Sequence, residues 1–106
     1  MAKTTLGELE ELVLLAILRV GDEAYGVRVI DELTEHAGRK VAPAAVYVTL
    51  RRLEEAGLIA SSLEDPARGK PRRFVQVTRD GVGLLRASRR TRMRMWEGLE
   101  PILGEQ

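Results

Sequence analysis

Cysteine is absent from the 106-residue chain, which excludes a disulfide framework, cysteine-based zinc sites and thiol catalysis. The single histidine, His36, cannot build a histidine metal cluster and leaves one candidate for an imidazole base. It falls near the end of a helical pattern, where a surface cation is favoured, so a surface role is expected rather than a ligand. Aromatic residues make up 4% of the chain, and the core must come from Leu, Val, Ile and Ala. No apolar run approaches the ~20 residues of a membrane span, and no signal-peptide pattern precedes the first helix. There is no nucleophile–base pair, glycine-rich phosphate loop or metal cluster. The expectation is therefore a cytoplasmic, non-membrane protein without catalytic residues, metal or cofactor. With 44% hydrophobic and 31% charged residues, the chain can fold as one domain, or as a small domain plus one helix.

The net charge of +1 hides an uneven distribution. Up to Lys40 there are eight acids against five bases. From Arg68 to Arg94 ten bases (Arg68, Lys70, Arg72, Arg73, Arg79, Arg86, Arg89, Arg90, Arg92 and Arg94) meet one acid, Asp80. Such asymmetry suggests an anionic partner for the second half, although solvated helix and loop charges give the same count.

Periodicity supplies the elements. Thr5-Leu6-Gly7-Glu8 has capping-box spacing, and Leu6, Leu9, Val13, Ala16, Ile17 and Val20 recur at helical intervals. A helix over about Thr5–Arg19 is expected, ended by Gly21. Asp22-Glu23 opens a second, with Tyr25, Val29, Ile30, Leu33 and Ala37 as its stripe and Gly38-Arg39-Lys40 at its end. Pro43 suits the first turn of a third helix, with Val46, Leu50 and Leu53 inward and Gly57 as a left-handed stop. Leu58–Leu63 and Arg73–Val77 read as an antiparallel hairpin around a polar turn. Thr78 caps a last helix to about Leu103, weakened by Gly98 and Pro101. The fold class is α+β and mostly helical: a winged helix-turn-helix over residues 1–78, with a long C-terminal helix over 79–106.

The third helix makes the physical case for nucleic acid. At about 100° per residue, Val46, Leu50 and Leu53 face inward. That leaves Ala44, Val48, Arg51 and Glu55 outward, with Tyr47 and Arg52 on the flanks. The small start, Ala42-Pro43-Ala44-Ala45, lets the backbone approach a groove. Ala44 and Val48 can touch thymine methyls, and Arg51 can reach phosphate or guanine. Packing of the same small residues against the hairpin is the plain alternative.

Three blocks carry a specific resemblance: Tyr25-Gly26, the run Val46-Tyr47-Val48-Thr49-Leu50-Arg51-Arg52-Leu53-Glu54-Glu55-Ala56-Gly57-Leu58-Ile59, and Arg72-Arg73-Phe74-Val75-Gln76-Val77-Thr78-Arg79-Asp80-Gly81. In order and spacing they resemble the PadR family of bacterial transcription regulators, and they cover most of residues 5–85. The resemblance implies a homodimeric winged-helix repressor of the short type, with a single dimerising C-terminal helix. It also implies double-stranded DNA as partner, with the third helix in the major groove and the Tyr47 hydroxyl on a phosphate. Tyr25-Gly26 would bring the second helix's start to the DNA backbone, where its N–H groups favour an anion; core packing is the competing role for Tyr25. Arg68, Lys70, Arg72 and Arg73 would form the wing.

In the final helix, Val82, Leu84 and Leu85 are expected to pack on the domain, and Arg86, Arg90 and Arg94 to share a solvated face. Met93, Met95, Trp96, Leu99, Ile102 and Leu103 then form an apolar surface too wide for one small domain to cover, which marks an interface. Dimerisation through this helix and the first, with Leu9, Met93, Trp96, Leu99, Ile102 and Leu103, is the expectation. The resemblance adds that Trp96 can stack a planar hydrophobic effector, against plain interface packing. A winged helix that binds only acidic proteins, without DNA, is the rival reading.

Overall fold

A computed structural model describes residues 3–38, 40–64, 69 and 71–104 of the chain. The first helix, α1 (Glu8–Val20), begins after Gly7 rather than at Thr5. Gly7 has no side chain to cap with, so only the reciprocal half of a capping box forms: its N–H donates to Glu10 Oε1 at 2.7 Å. Burial alone would push the Glu10 carboxyl up, but the Gly7 N–H and the Lys3 ammonium together hold it below its ordinary value. Gly21, at φ 80°, ends α1 in a conformation that favours glycine.

The second helix differs from the sequence expectation. Gly21–Glu23 form a 3-10 turn, and α2 runs from Gly26 to His36. Tyr25 is not on the α2 stripe; it is extended, at φ −126° and ψ 168°. The reason is a competing partner. The Ala24 carbonyl accepts from the Val75 N–H at 2.8 Å, and Tyr25 forms an isolated antiparallel bridge with Phe74. This segment thereby adds a minimal third strand to the hairpin, and the helix starts only once that pairing ends.

Helix α3 (Pro43–Glu55) begins and ends as its sequence dictates, with Pro43 in its first turn. Gly57, at φ 77°, permits a Schellman ending in which Leu58 N–H donates to Leu53 carbonyl (2.9 Å) and Gly57 N–H to Glu54 carbonyl (3.0 Å). The chain then enters β1 (Ile59–Glu64), which pairs antiparallel with β2 (Arg72–Val77) from Ile59↔Val77 to Glu64↔Arg72. Arg68 and Lys70, expected in the wing, lie outside the described residues.

The core gathers Val13, Leu14 and Ile17 from α1, Val29 and Leu33 from α2, and Val46, Leu50 and Leu53 from α3, closed by Leu58, Ile59 and Val75. It contains no aromatic side chain among the described residues, in keeping with the composition. Thr78 caps α4 (Arg79–Trp96), its Oγ1 accepting from the Gly81 N–H at 3.2 Å. The final helix stops at Trp96 and does not continue to Leu103. Gly98 adopts φ 83°, and a separate short α5 (Glu100–Leu103) follows, with Pro101 in its first turn. Glu11 ties α4 to α1, accepting from Ser88 Oγ at 2.6 Å and pairing with Arg92 at 3.4 Å. Beyond Arg90, every described residue of α4 and α5 is exposed, and the molecule extends to 56 × 32 × 22 Å.

Two glycines of α4 should respond oppositely to a methyl group. A Cβ at Gly81 would run into the Leu58 carbonyl oxygen and lie 2.6 Å from Val77 Cγ1, whereas nothing lies within 4 Å of one at Gly83. Gly81→Ala should therefore destabilise by about 1–3 kcal/mol, and Gly83→Ala should stabilise by about 0.5–1 kcal/mol. Urea melts of the two variants check this, and shifts of the same sign would contradict the packing.

Candidate nucleic-acid interface

The outward face of α3 carries the residues the helical period places there. Ala44, Val48, Arg51 and Glu55 are exposed, while Val46, Leu50 and Leu53 are buried. Tyr47 and Val48 keep 47% and 40% of their surface in solvent, so an apolar patch lies open in the middle of a polar surface. Arg52 is exposed on the other flank, close enough to α1 for its charge to act on Glu10. The first turn of α3 has no side-chain cap and no acid, leaving its positive dipole end uncompensated by side chains.

A cleft of about 450 Å³ adjoins this face, lined among others by Tyr25, Gly26, Tyr47, Arg51, Arg72 and Arg73. It forms because the Tyr47 ring lies directly on the backbone at the start of α2. A Cβ at Gly26 would sit 2.5 Å from a Tyr47 ring carbon and 2.6 Å from the hydroxyl oxygen. The dipeptide Tyr25-Gly26 and Tyr47 are thus one structural unit: the missing side chain of one residue is the seat of the other. α2 also lacks a side-chain cap and first-turn acids, so the cleft combines a helix N-terminus, a phenol and three arginines with one carboxylate, Glu54.

Each wing-root arginine has its own partner. Arg72 Cζ lies 4.7 Å from the centroid of the half-buried Tyr25 ring, and Tyr25 meets Phe74 edge-on with centroids 5.5 Å apart. Tyr25 is therefore packed between Arg72 and Phe74 outside the core, and it lines the cleft. Arg73 Nη1 donates to Ser61 Oγ at 3.1 Å, and Ser61 Oγ donates to Glu54 Oε2 at 2.7 Å. This relay from α3 through β1 to β2 lies beyond sequence reasoning, because a lone serine in a strand gives no signal of its partners.

A second surface lies between α1 and α4. A groove of about 1000 Å³ is lined by Leu15, Leu18, Val82, Leu85, Met93 and Trp96, with arginines that include Arg86, Arg90 and Arg94. Met93, Trp96, Leu99, Ile102 and Leu103 are all exposed, as expected. Leu9 is instead half-buried against the chain's own core. Leu15 and Leu18 supply the exposed apolar face of α1, at 40% and 49%. The run Leu12-Val13-Leu14-Leu15-Ala16-Ile17-Leu18 is apolar all round the helix, a pattern that signals burial on both sides.

Among the described residues, Glu32, Glu35 and His36 alone bring metal-type donor atoms within 4.8 Å of one another. Glu32 is already engaged there. The Arg19 Nε–H donates to its Oε2 at 2.6 Å, with His36 Nδ1 at 2.7 Å from the same oxygen, and the Arg19 bond leads in holding its carboxyl below the ordinary value. Among the described residues no helix is long and apolar enough to cross a membrane.

Comparison with known proteins bears on the same residues. Residues 14–87 match the transcriptional regulator PadR-like family. A PadR family transcription regulator from Clostridium difficile superposes with a TM-score of 0.74 at 21% identity, covering 90% of this chain and 98% of that one. A PadR family transcriptional regulator from Eggerthella lenta gives 0.72 at 29% identity, over 93% and 88% of the two chains. Bacillus subtilis PadR in complex with operator DNA shares the fold with a TM-score of 0.65 at 18% identity, over 76% of this chain and 47% of its own length. No curated protein matches the sequence. The matched segment runs from the middle of α1 through the winged helix into α4, and so contains the cleft, the outward face of α3 and the wing root. With α1–α3 ahead of a two-stranded wing and the family match over residues 14–87, the chain belongs to the PadR-like family of transcriptional regulators and is not an enzyme.

Proposed function

We propose that the protein is a cytoplasmic homodimeric repressor that reads a pseudo-palindromic operator in double-stranded DNA. Residues 1–78 act as the DNA-binding unit and 79–106 as the dimerisation part. The carrying observation is the exposed pair Ala44 and Val48 on α3, flanked by Tyr47 and Arg51 and bordered by the arginine-lined cleft. Small apolar side chains on an uncapped helix face suit base edges and thymine methyls in the major groove. Tyr47, Arg51, Arg52, Arg72 and Arg73, with Arg68 and Lys70 of the wing, suit phosphates. The Bacillus subtilis PadR that shares the fold is in complex with operator DNA, which supports DNA as the partner. Two copies related by a two-fold axis would read half-sites roughly 34 Å apart.

Separate variants distinguish positioning from reading. Arg72→Ala with Arg73→Ala should weaken operator and random duplex alike, and should lower the salt slope by about 0.9 for each phosphate the variant leaves unneutralised. Val48→Glu sets a carboxylate against base acceptors and should abolish operator preference more than it weakens non-specific binding. Salt titrations on both duplexes check the pair. The docking is wrong if the wing variant alters sequence preference and Val48→Glu does not. Binding of acidic proteins with no affinity for either duplex would favour the rival interaction module.

Dimerisation is supported by the apolar groove between α1 and α4 and by the exposure of Met93, Trp96, Leu99, Ile102 and Leu103. Truncation before Met93 should give monomers or aggregates by light scattering, and a monomeric intact chain at micromolar concentration would overturn the assignment. Trp96 lines that groove and is 57% exposed, a position suited to stacking a planar hydrophobic effector that relieves repression. Such compounds should quench Trp96 fluorescence and weaken operator binding; a broad panel without quenching leaves Trp96 as packing.

A further inference from the structure

The hairpin register sets Arg72 opposite Glu64, the natural place for a cross-strand ion pair. Among the described residues no ion pair joins them. The guanidinium instead lies over the Tyr25 ring, 4.7 Å from its centroid. Tyr25 is also bridged to Phe74 through the backbone, and its ring packs edge-on against the Phe74 ring at 76°. Immediately after it, Gly26 seats the Tyr47 ring, so the same two residues place an arginine and a phenol on the walls of one cleft.

The geometry points to Tyr25 as a positioning residue that holds Arg72 ready for a DNA phosphate without itself contacting DNA, an assignment that rests on the DNA-binding reading above. The choice of partner matters chemically. A carboxylate would neutralise the guanidinium and occupy its donors. An aromatic face attracts the cation through its quadrupole while the N–H groups, which lie in the guanidinium plane, remain open for a phosphate fork. The contact also removes rotamer freedom from a long side chain before DNA arrives, which lowers the entropic cost of binding.

The test is a double-mutant cycle on the full chain, read by anisotropy of a labelled random-sequence duplex. Tyr25→Leu should weaken binding about two- to five-fold, the scale of an exposed cation–π contact. It should have no further effect in an Arg72→Ala background, and Tyr25→Phe, which keeps the ring, should bind like the unaltered protein. Equal losses from Tyr25→Leu with and without Arg72 would overturn the assignment, as would full affinity for Tyr25→Leu or weakened binding by Tyr25→Phe. A readout independent of any variant's folding is the NMR spectrum of the unaltered protein. There the Arg72 side-chain protons should be shifted upfield by the Tyr25 ring current, and random-coil shifts would overturn the assignment. An unaltered protein that shows this ring-current shift yet binds no duplex would instead refute the DNA-binding reading on which the role depends.

Discussion

The junction at Gly57–Leu58 holds the parts of this molecule in register. Leu58 closes α3 by donating to the Leu53 carbonyl, and its own carbonyl accepts from the Thr78 N–H at 3.0 Å. Thr78 Oγ1 donates to the Gly57 carbonyl at 2.7 Å while accepting from the Gly81 N–H. Gly81 must lack a side chain because that same Leu58 carbonyl lies against it. The end of α3, the start of β1, the end of β2 and the start of α4 are therefore fixed by a few hydrogen bonds around two residues. Each has a conformational reason: a positive φ at Gly57, a hydroxyl at Thr78 and bare backbone at Gly81. Moving this junction would displace the outward face of α3 and the direction of α4 together.

The frame sorts the exposed surface into two dissimilar regions. Around the start of α2, the outward face of α3 and the wing root, small apolar side chains alternate with arginine and tyrosine, the acids Glu54 and Glu55 come only at the end of α3, and neither helix has an acid in its first turn. Between α1 and α4, large apolar side chains dominate and arginines rim the groove. The basic excess in the second half of the sequence is thus divided between the wing root and the length of α4. Charge alone does not say which region meets an anion. Shape separates them, since small residues admit close approach of a duplex and the α1–α4 groove offers apolar area instead.

Much of this is legible in the sequence. Helix α3 with its Pro43 start and Gly57 stop, the hairpin and the Thr78 cap each have local chemical signals, and tertiary contacts do not oppose those signals. The α1 start is misleading because Thr5 mimics a cap, whereas the Glu10 carboxylate in fact satisfies the Gly7 N–H. Tyr25 fits a helical stripe by spacing, because its pairing partner, Phe74, is distant in sequence. The break after Trp96 shows only as a weakness, since Gly98 and Pro101 are compatible with either a kinked or an interrupted helix. At the interface, the residue types on α3 follow from period, but the seating of Tyr47 on Gly26, the Arg72–Tyr25 contact and the Ser61 relay do not. They depend on which side chains meet across elements, and no spacing rule encodes that.

The proposed division of the surface is spatial. DNA would be met by the outward face of α3 and the wing root, while the arginine-rimmed groove between α1 and α4 serves another purpose. Titrating isotope-labelled full-length protein with duplex from the region upstream of its own gene, and following backbone amide shifts, distinguishes the two faces. Large shifts are expected over Gly26–Arg28, Ala44–Arg51 and Arg72–Phe74, with little change at Arg86, Arg89 and Arg90. Shifts concentrated on that arginine face of α4, with α3 and the wing root unmoved, would contradict the division.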